Sequence, residues 1–201
     1  MNLFTDQPPN NRWHWLRHGQ STANTRHQIA SDPATATRDF GLSSTGRQQV
    51  RDTLATQTVL DSSCQIITSD FLRASQTAAL THEILQCHQS VRVDKRLRER
   101  YFGDWEATSG DNYHKVWEMD AHDASHTEAN VEAVTHVAAR LTDLVQSMEQ
   151  SVEQQTFLLV SHGDPLQILE CLLTGRNLSE HRKLVPLETA ELRSFDTIRV
   201  G

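Results

Sequence analysis

Trp13-His14-Trp15-Leu16-Arg17-His18-Gly19 reads as a short buried strand that ends on a basic residue, a histidine and a glycine. Apolar side chains occupy Trp13, Trp15 and Leu16, and the glycine permits a tight turn directly after the strand. The same arrangement recurs far downstream, where Phe157-Leu158-Leu159-Val160 runs without interruption into Ser161-His162-Gly163. In an open α/β sheet, ligands collect beyond the carboxyl ends of the strands, where loops lead into helix N-termini. Two histidines and an arginine are therefore expected at one sheet edge, a set able to hold a phosphate and to attack it.

Around these two stretches, short apolar runs alternate with longer amphipathic ones, the pattern of an α/β sheet. Ser21, Thr22 and Asn24 are residues that cap a helix or bind its exposed amides. Gly41-Leu42-Ser43-Ser44 predicts the start of a helix running to about Leu60, with Val50, Leu54 and Val59 facing inward. Gln65 to Thr68 predicts a strand, and Ser69-Asp70 an N-cap for a helix from Phe71 to about Gln86 that carries Arg73 in its first turn. Val91-Arg92-Val93 predicts a third strand. Residues 107–126 are poor in aliphatics and are expected to form a loop with a short helix around His114 to Met119.

Between Thr127 and Gln150, apolar Val131, Val134, Ala138, Leu141, Val145 and Met148 recur at intervals of three and four, a helical stripe suited to packing on a sheet. Asp164-Pro165 suggests a capping carboxylate before a proline, in a helix that ends at Gly175. Leu184 to Val200 alternates in the manner of one or two edge strands. With no repeat or linker, the expected organisation is one domain over residues 1–201.

The 19 cationic and 26 acidic residues leave a net charge of −7, which argues against nucleic acid or an anionic membrane as the partner. No run approaches the ~18 apolar residues of a membrane span, and the first residues carry no signal-like apolar segment. The expectation is a soluble cytoplasmic protein. Cys64, Cys87 and Cys171 are too widely spaced for a thiolate metal site, and their odd number argues against a disulfide framework. All cationic residues except Lys95, Lys115 and Lys183 are arginines, whose planar forks fit phosphate oxygens two at a time.

Four segments fall beyond predicted strand ends: Arg17-His18-Gly19, Ser69 to Arg73, Leu97-Arg98-Glu99 and Ser161-His162-Gly163. If they converge, Arg17 and Arg73 supply the forks for a phosphoryl group and His18 the nucleophile. Glu99 would then cycle between acid and base, and His162 would donate to the phosphoryl oxygens with the amides of residues 19–22 and the side chain of Asn24. Trp117 and His114, in the 107–126 segment, are candidates for substrate selection. His122 and His126 are spaced for a metal on a helix but are read as surface histidines. Arg73 taken alone could equally pair with Asp70 or Glu83.

Leu16 to Asn24 resembles the signature of the histidine phosphatase superfamily, which includes cofactor-dependent phosphoglycerate mutases. Further matches arrive in family order. They are Gly41-Leu42-Ser43 with Gly46 and Gln49, Thr68-Ser69-Asp70 with Arg73-Ala74 and Gln76-Thr77-Ala78, Leu97-Arg98-Glu99 with Phe102-Gly103 and Trp105-Glu106, and Ser161-His162-Gly163. The resemblance implies a three-layer α/β/α sandwich with a mostly parallel sheet. It also implies a site without metal or cofactor and a phosphohistidine on His18, with Arg17, Asn24, Arg73 and His162 as phosphate ligands and Glu99 as proton donor.

The sequence departs from the family at Gln20, where many relatives carry Glu, and at Ala107, where a Gly commonly follows the Trp-Glu pair. Mutases of the family are usually longer, with extra segments shielding the phosphoenzyme from water, so a phosphatase of a small phosphorylated metabolite is the favoured expectation. A mutase and a phosphate-recognition module without turnover are the alternatives. The identity of the alcohol and the oligomeric state are not encoded in these motifs.

Overall fold

The structure, a computed structural model, describes residues 3–4 and 8–198. Strand β1 (Arg12–Arg17) leads through two one-turn helices, α1 (Thr22–Thr25) and α2 (Pro33–Ala36), into α3 (Ser44–Thr56). Then come β2 (Gln65–Thr68), α4 (Leu72–Leu85), β3 (Arg92–Val93), α5 (Tyr113–His122) and α6 (Val134–Ser151). The chain continues with β4 (Thr156–Ser161), α7 (Gly163–Thr174), β5 (Leu192–Ser194) and α8 (Phe195–Ile198). The five strands form one sheet of order β3-β2-β4-β1-β5, parallel except for β5.

The two-residue period of the strands separates the layers. Trp13 and Trp15 of β1 and Phe157 and Leu159 of β4 pack with the apolar faces of α6 and α7. Leu16, Leu158, Val160 and Ile66 face the other way, onto Ala74 and Ala78 of α4. Helix α3 packs against α4, with Val50 and Leu54 meeting Leu80. Strand β4 is buried on both faces, which is why its sequence shows no alternation.

Several boundaries differ from expectation. Helix α3 stops at Thr56, and Val59 is 47% exposed instead of inward. Neither Ser69 nor Asp70 takes the cap of α4: Phe71 holds that position with no side-chain cap bond, Ser69 Oγ accepts from the Phe71 amide in the preceding turn, and Asp70 is held by Arg98 at 2.8 and 2.6 Å. Asp164 is no cap either. It lies inside the first turn of α7, buried, with Trp117 and Arg182 as partners, and His162 takes the cap position. Helix α6 begins at Val134, its approach broken by positive φ at Ala129 and Asn130, and residues 113–122 form a longer helix than the sequence suggested. The C-terminal region holds one edge strand and a short helix. Part of the predicted edge-strand segment, 199–200, lies outside the described residues.

Candidate active site

Register places the two histidines side by side. Arg17 pairs with Ser161 at the ends of β1 and β4, so His18 and His162 each stand one residue past the sheet edge. Their ring centroids are 5.1 Å apart, and the His18 amide donates to the Ser161 carbonyl at 3.0 Å. Thr68 pairs with Val160, which brings Ser69 to the same edge, 3.0 Å from Nε2 of His162.

Partners decide the tautomers. Nδ1 of His18 lies 2.7 Å from the Gly19 carbonyl, which can only accept, so Nδ1 carries the proton. Nε2 therefore presents its lone pair, and Arg73 Nε donates to it at 3.1 Å. Burial, then the charges of Arg73 and Arg17, hold His18 well below the ordinary histidine range, so the ring is neutral. His162 is likewise lowered by burial and by Arg73 and His18.

The loop after β1 is set by two close approaches. A Cβ on Gly19 would stand 2.5 Å from the Gly46 carbonyl oxygen, and a Cβ on Gly46 would stand 2.0 Å from that of Gln20. Only glycines let the loop and the first turn of α3 touch. The loop amides, expected to serve a phosphate, are instead spent on this scaffold. Gly19 donates to Thr77, Gln20 to Gln49, Ser21 to Asn24 and Thr22 to the Gly41 carbonyl. Asn24 closes a capping box with Ser21 through Oδ1, and it lines the cavity, where its Nδ2 is the donor left over.

Arg17, His18, Asn24, Arg73 and Glu99 line one cavity of about 210 Å³, with His162 directly behind His18. Arg17 anchors through Nη1 to the Leu187 carbonyl at 2.5 Å, and Arg73 through Nη2 to the Ala30 carbonyl at 3.0 Å. Arg17 Nε, Arg73 Nη1 and His162 Nδ1 are all buried without a protein partner. Buried donors ordinarily find partners. Arg17 and Arg73 both line the cavity, so Arg17 Nε and Arg73 Nη1 are two cationic donors free at one site, an arrangement suited to an anion.

Glu99 lines the same cavity and accepts from the Arg100 amide at 3.0 Å. Burial, then the negative charge of Asp164, push its carboxyl up to about 7, so near neutral pH it is divided between acid and carboxylate. Asp164 itself stays ionised. Burial opposes this, but Arg182, His181 and Arg100 outweigh it.

Tyr113, Trp117, Asp164, Gln167 and Arg182 complete the wall. Trp117 was legible in the sequence as a candidate, whereas His114 is exposed and takes no part. The surface reading of His126 is corrected: it is buried, its Nε2 2.7 Å from Asp120, and Asp120 also binds Arg100 in a fully buried pair at 2.6 and 2.8 Å. Tyr113, Asp164, Gln167 and Arg182 were not singled out for the site. Asp164 directly follows the Ser161-His162-Gly163 motif but was read as a helix cap, Tyr113 lies at the edge of the predicted short helix, and Gln167 and Arg182 carry no motif because tertiary packing brings them to the cavity.

Among the described residues no group of three or more His, Cys, Asp or Glu side chains could hold a metal, and no helix is long and apolar enough to cross a membrane.

A mostly parallel sheet with two histidines and Arg17 at its carboxyl edge, faced by Arg73 of α4, defines a phosphate-handling α/β protein. The profile of the histidine phosphatase superfamily (branch 1) matches residues 14–199, and the chain belongs to that family. It is 31% identical over 180 residues to the glucosyl-3-phosphoglycerate phosphatase of Mycolicibacterium vanbaalenii, covering 80% of this chain and 72% of the relative. Among solved structures, a protein described as mycobacterial hydrolase 1 superposes with a TM-score of 0.74 at 26% identity, covering 90% of this chain and 86% of that one. A mycobacterial glucosyl-3-phosphoglycerate phosphatase in complex with VO3 gives a TM-score of 0.72 at 26% identity, with 90% of each chain covered.

Proposed function

We propose that the chain is a phosphomonoesterase that hydrolyses a small phosphorylated metabolite through a phosphohistidine on His18, without a metal. The observation that carries this reading is the pair of unpartnered buried donors on cavity-lining arginines, Arg17 Nε and Arg73 Nη1, beside a neutral imidazole, His18, whose Nδ1 carries the proton. The phosphatase names of the relatives support it.

In the first step Nε2 of His18 attacks phosphorus in line, the phosphorus–oxygen bond to the alcohol breaks, and protonated Glu99 gives its proton to the departing oxygen. Arg17, Arg73, His162 and the Asn24 amide stabilise the charge on the three equatorial oxygens. In the second step Glu99, now a carboxylate, takes a proton from water. That water attacks the phosphohistidine, releases inorganic phosphate and returns His18 and Glu99 to their starting states.

The cavity, at about 210 Å³, lies below the ~300–1,000 Å³ of drug-sized ligand sites, which favours a metabolite over a phosphoprotein. Helix α5 within the 107–126 segment would shape the leaving-group side, in one domain spanning the chain. Such a substrate fits a cytoplasmic setting, as do three buried cysteines without disulfides.

Phosphate release from p-nitrophenyl phosphate and from alkyl phosphates, with and without EDTA, tests the reading against a His18→Ala control. Release that survives chelation and vanishes in His18→Ala supports it. Release that persists in His18→Ala, or that requires added metal, contradicts it.

A further inference from the structure

Arg182 comes from the turn Leu178–Lys183, an element that carries none of the phosphate-binding set, yet it lines the same cavity as Arg17, His18 and Arg73. Its guanidinium lies 3.6 Å from the centroid of the Trp117 ring, and Trp117 stacks on Tyr113 with centroids 5.3 Å apart and planes within 8°. Nη1 donates to Asp164 Oδ1 at 3.1 Å and to Gln167 Oε1. These contacts fix the plane of the guanidinium by stacking and by one nitrogen only.

The other edge is open. Nε is buried with no partner, and no described residue accepts from Nε or Nη2. Together these two nitrogens form the side-on fork that takes both oxygens of a carboxylate or two of a phosphate. The chain contains its own example: the same edge of Arg98 grips Asp70, with Nε to Oδ1 at 2.8 Å and Nη2 to Oδ2 at 2.6 Å.

Arg100, whose Nη1 is 3.6 Å from Asp164, is already paired with Asp120, so Asp164 offsets the charge of Arg182, and it is the open fork, not a surplus charge, that calls for a ligand. A neutral hydroxyl accepts from one nitrogen of the fork, whereas a carboxylate or phosphate accepts from both, the buried Nε included.

We propose that Arg182 anchors the leaving group, reading a second acidic group, a carboxylate or a further phosphate, on the phosphomonoester, with Trp117 and Tyr113 forming the wall beside it. The proposal rests on the phosphomonoesterase reading of the His18 site and narrows its substrate class.

The test compares kcat/KM for matched pairs on the unmodified protein: 3-phosphoglycerate against glycerol 3-phosphate for a carboxylate, and fructose 1,6-bisphosphate against fructose 6-phosphate for a second phosphate. A preference of about tenfold or more is expected for the acidic member of one pair, and the pair showing it identifies the group; such preferences arise when a site's polar fork would otherwise stay unpaired. In Arg182→Gln the ratio should collapse towards one through KM, and Arg182→Lys, which keeps the charge but not the fork, should recover only part of it. Ratios near one in both pairs for the unmodified protein, or an Arg182→Gln protein that keeps the preference, would overturn the assignment. Should Arg182→Gln fail to fold, the unmodified ratios still decide. Activity on p-nitrophenyl phosphate that depends on His18, without any preference in either pair, would sink the Arg182 proposal and leave the phosphomonoesterase reading standing.

Discussion

Nε of Arg73 donates to Nε2 of His18 across 3.1 Å, while the opposite ring nitrogen is tied to the Gly19 carbonyl at 2.7 Å. The two contacts select one neutral tautomer and hold the ring with its lone pair facing a cation. In the proposed mechanism this unprotonated imidazole is the nucleophile, and the same arginine has Nη1 open for the group under attack.

Arg73→Lys is expected to keep the fold and lose rate. Lysine retains a charge but cannot both touch His18 Nε2 and offer a second donor, so kcat should fall by ~10²–10³, the usual loss when an oxyanion donor is removed. Steady-state kinetics on an alkyl phosphate measure it, and a loss confined to KM would mean that Arg73 only binds.

The proton on Glu99 should show in the pH profile. For alkyl phosphates, whose leaving alkoxides need that proton, kcat should decline as pH rises through about 7, where Glu99 ionises. p-Nitrophenyl phosphate, with its stable leaving anion, should show little of this limb. Asp164→Asn removes a negative charge beside Glu99 and should move the limb to lower pH. An unmoved limb would mean that Asp164 does not tune the acid.

Stability follows pH in the same direction at the same residue. The folded-state value of Glu99 lies above its unfolded value, raised by burial and Asp164, so between about 4.5 and about 7 the folded protein binds more protons than the unfolded one. Stability from this group is present below the unfolded value and is lost as pH rises through the folded one. The effect of Glu99→Gln on the free energy of unfolding should therefore be more favourable at pH 8 than at pH 5, by an amount on the order of 1–3 kcal/mol. Denaturation at the two pH values checks the sign.

Asp120→Ala should be among the most damaging changes outside the cavity. It leaves Arg100 buried with its bidentate partner gone and strips His126 of its contact. Losing one partner of a buried pair costs ~3–5 kcal/mol, which for a chain of this size lowers Tm by roughly 6–20 °C. A shift of only a degree or two would show that the pair contributes little.

Ala107→Gly should stabilise, against the usual trend for glycine. Ala107 holds φ +61°, a left-handed conformation costing a side-chain-bearing residue ~1–2 kcal/mol, more than the ~0.5–1 kcal/mol entropic cost of glycine. A small rise in Tm is expected.

The strands and the convergence of the candidate site residues were legible because each short apolar run ends on its own signature: Arg17-His18-Gly19 and Ser161-His162-Gly163 need only the pairing of β1 with β4 to stand together. Helix ends were less legible. Asp70 and Asp164 look like caps in sequence, yet each is claimed by an arginine far along the chain, Arg98 and Arg182, and such tertiary ion pairs override local capping preference. The amides of residues 19–22 looked free for a phosphate because the sequence does not show that Thr77, Gln49, Asn24 and Gly41 fold onto them. The departure at Ala107 was visible, and its meaning, a positive φ, emerged only from the backbone.

The most direct test is chemical quench of the protein mixed with ³²P-labelled substrate, followed by peptide mapping of the trapped label. The account predicts an acid-labile, alkali-stable phosphoryl group on His18, formed before phosphate release and accumulating in Glu99→Gln if dephosphorylation is slowed more than formation. Turnover with no label on residue 18 at any time, or label on His162 instead, would contradict it.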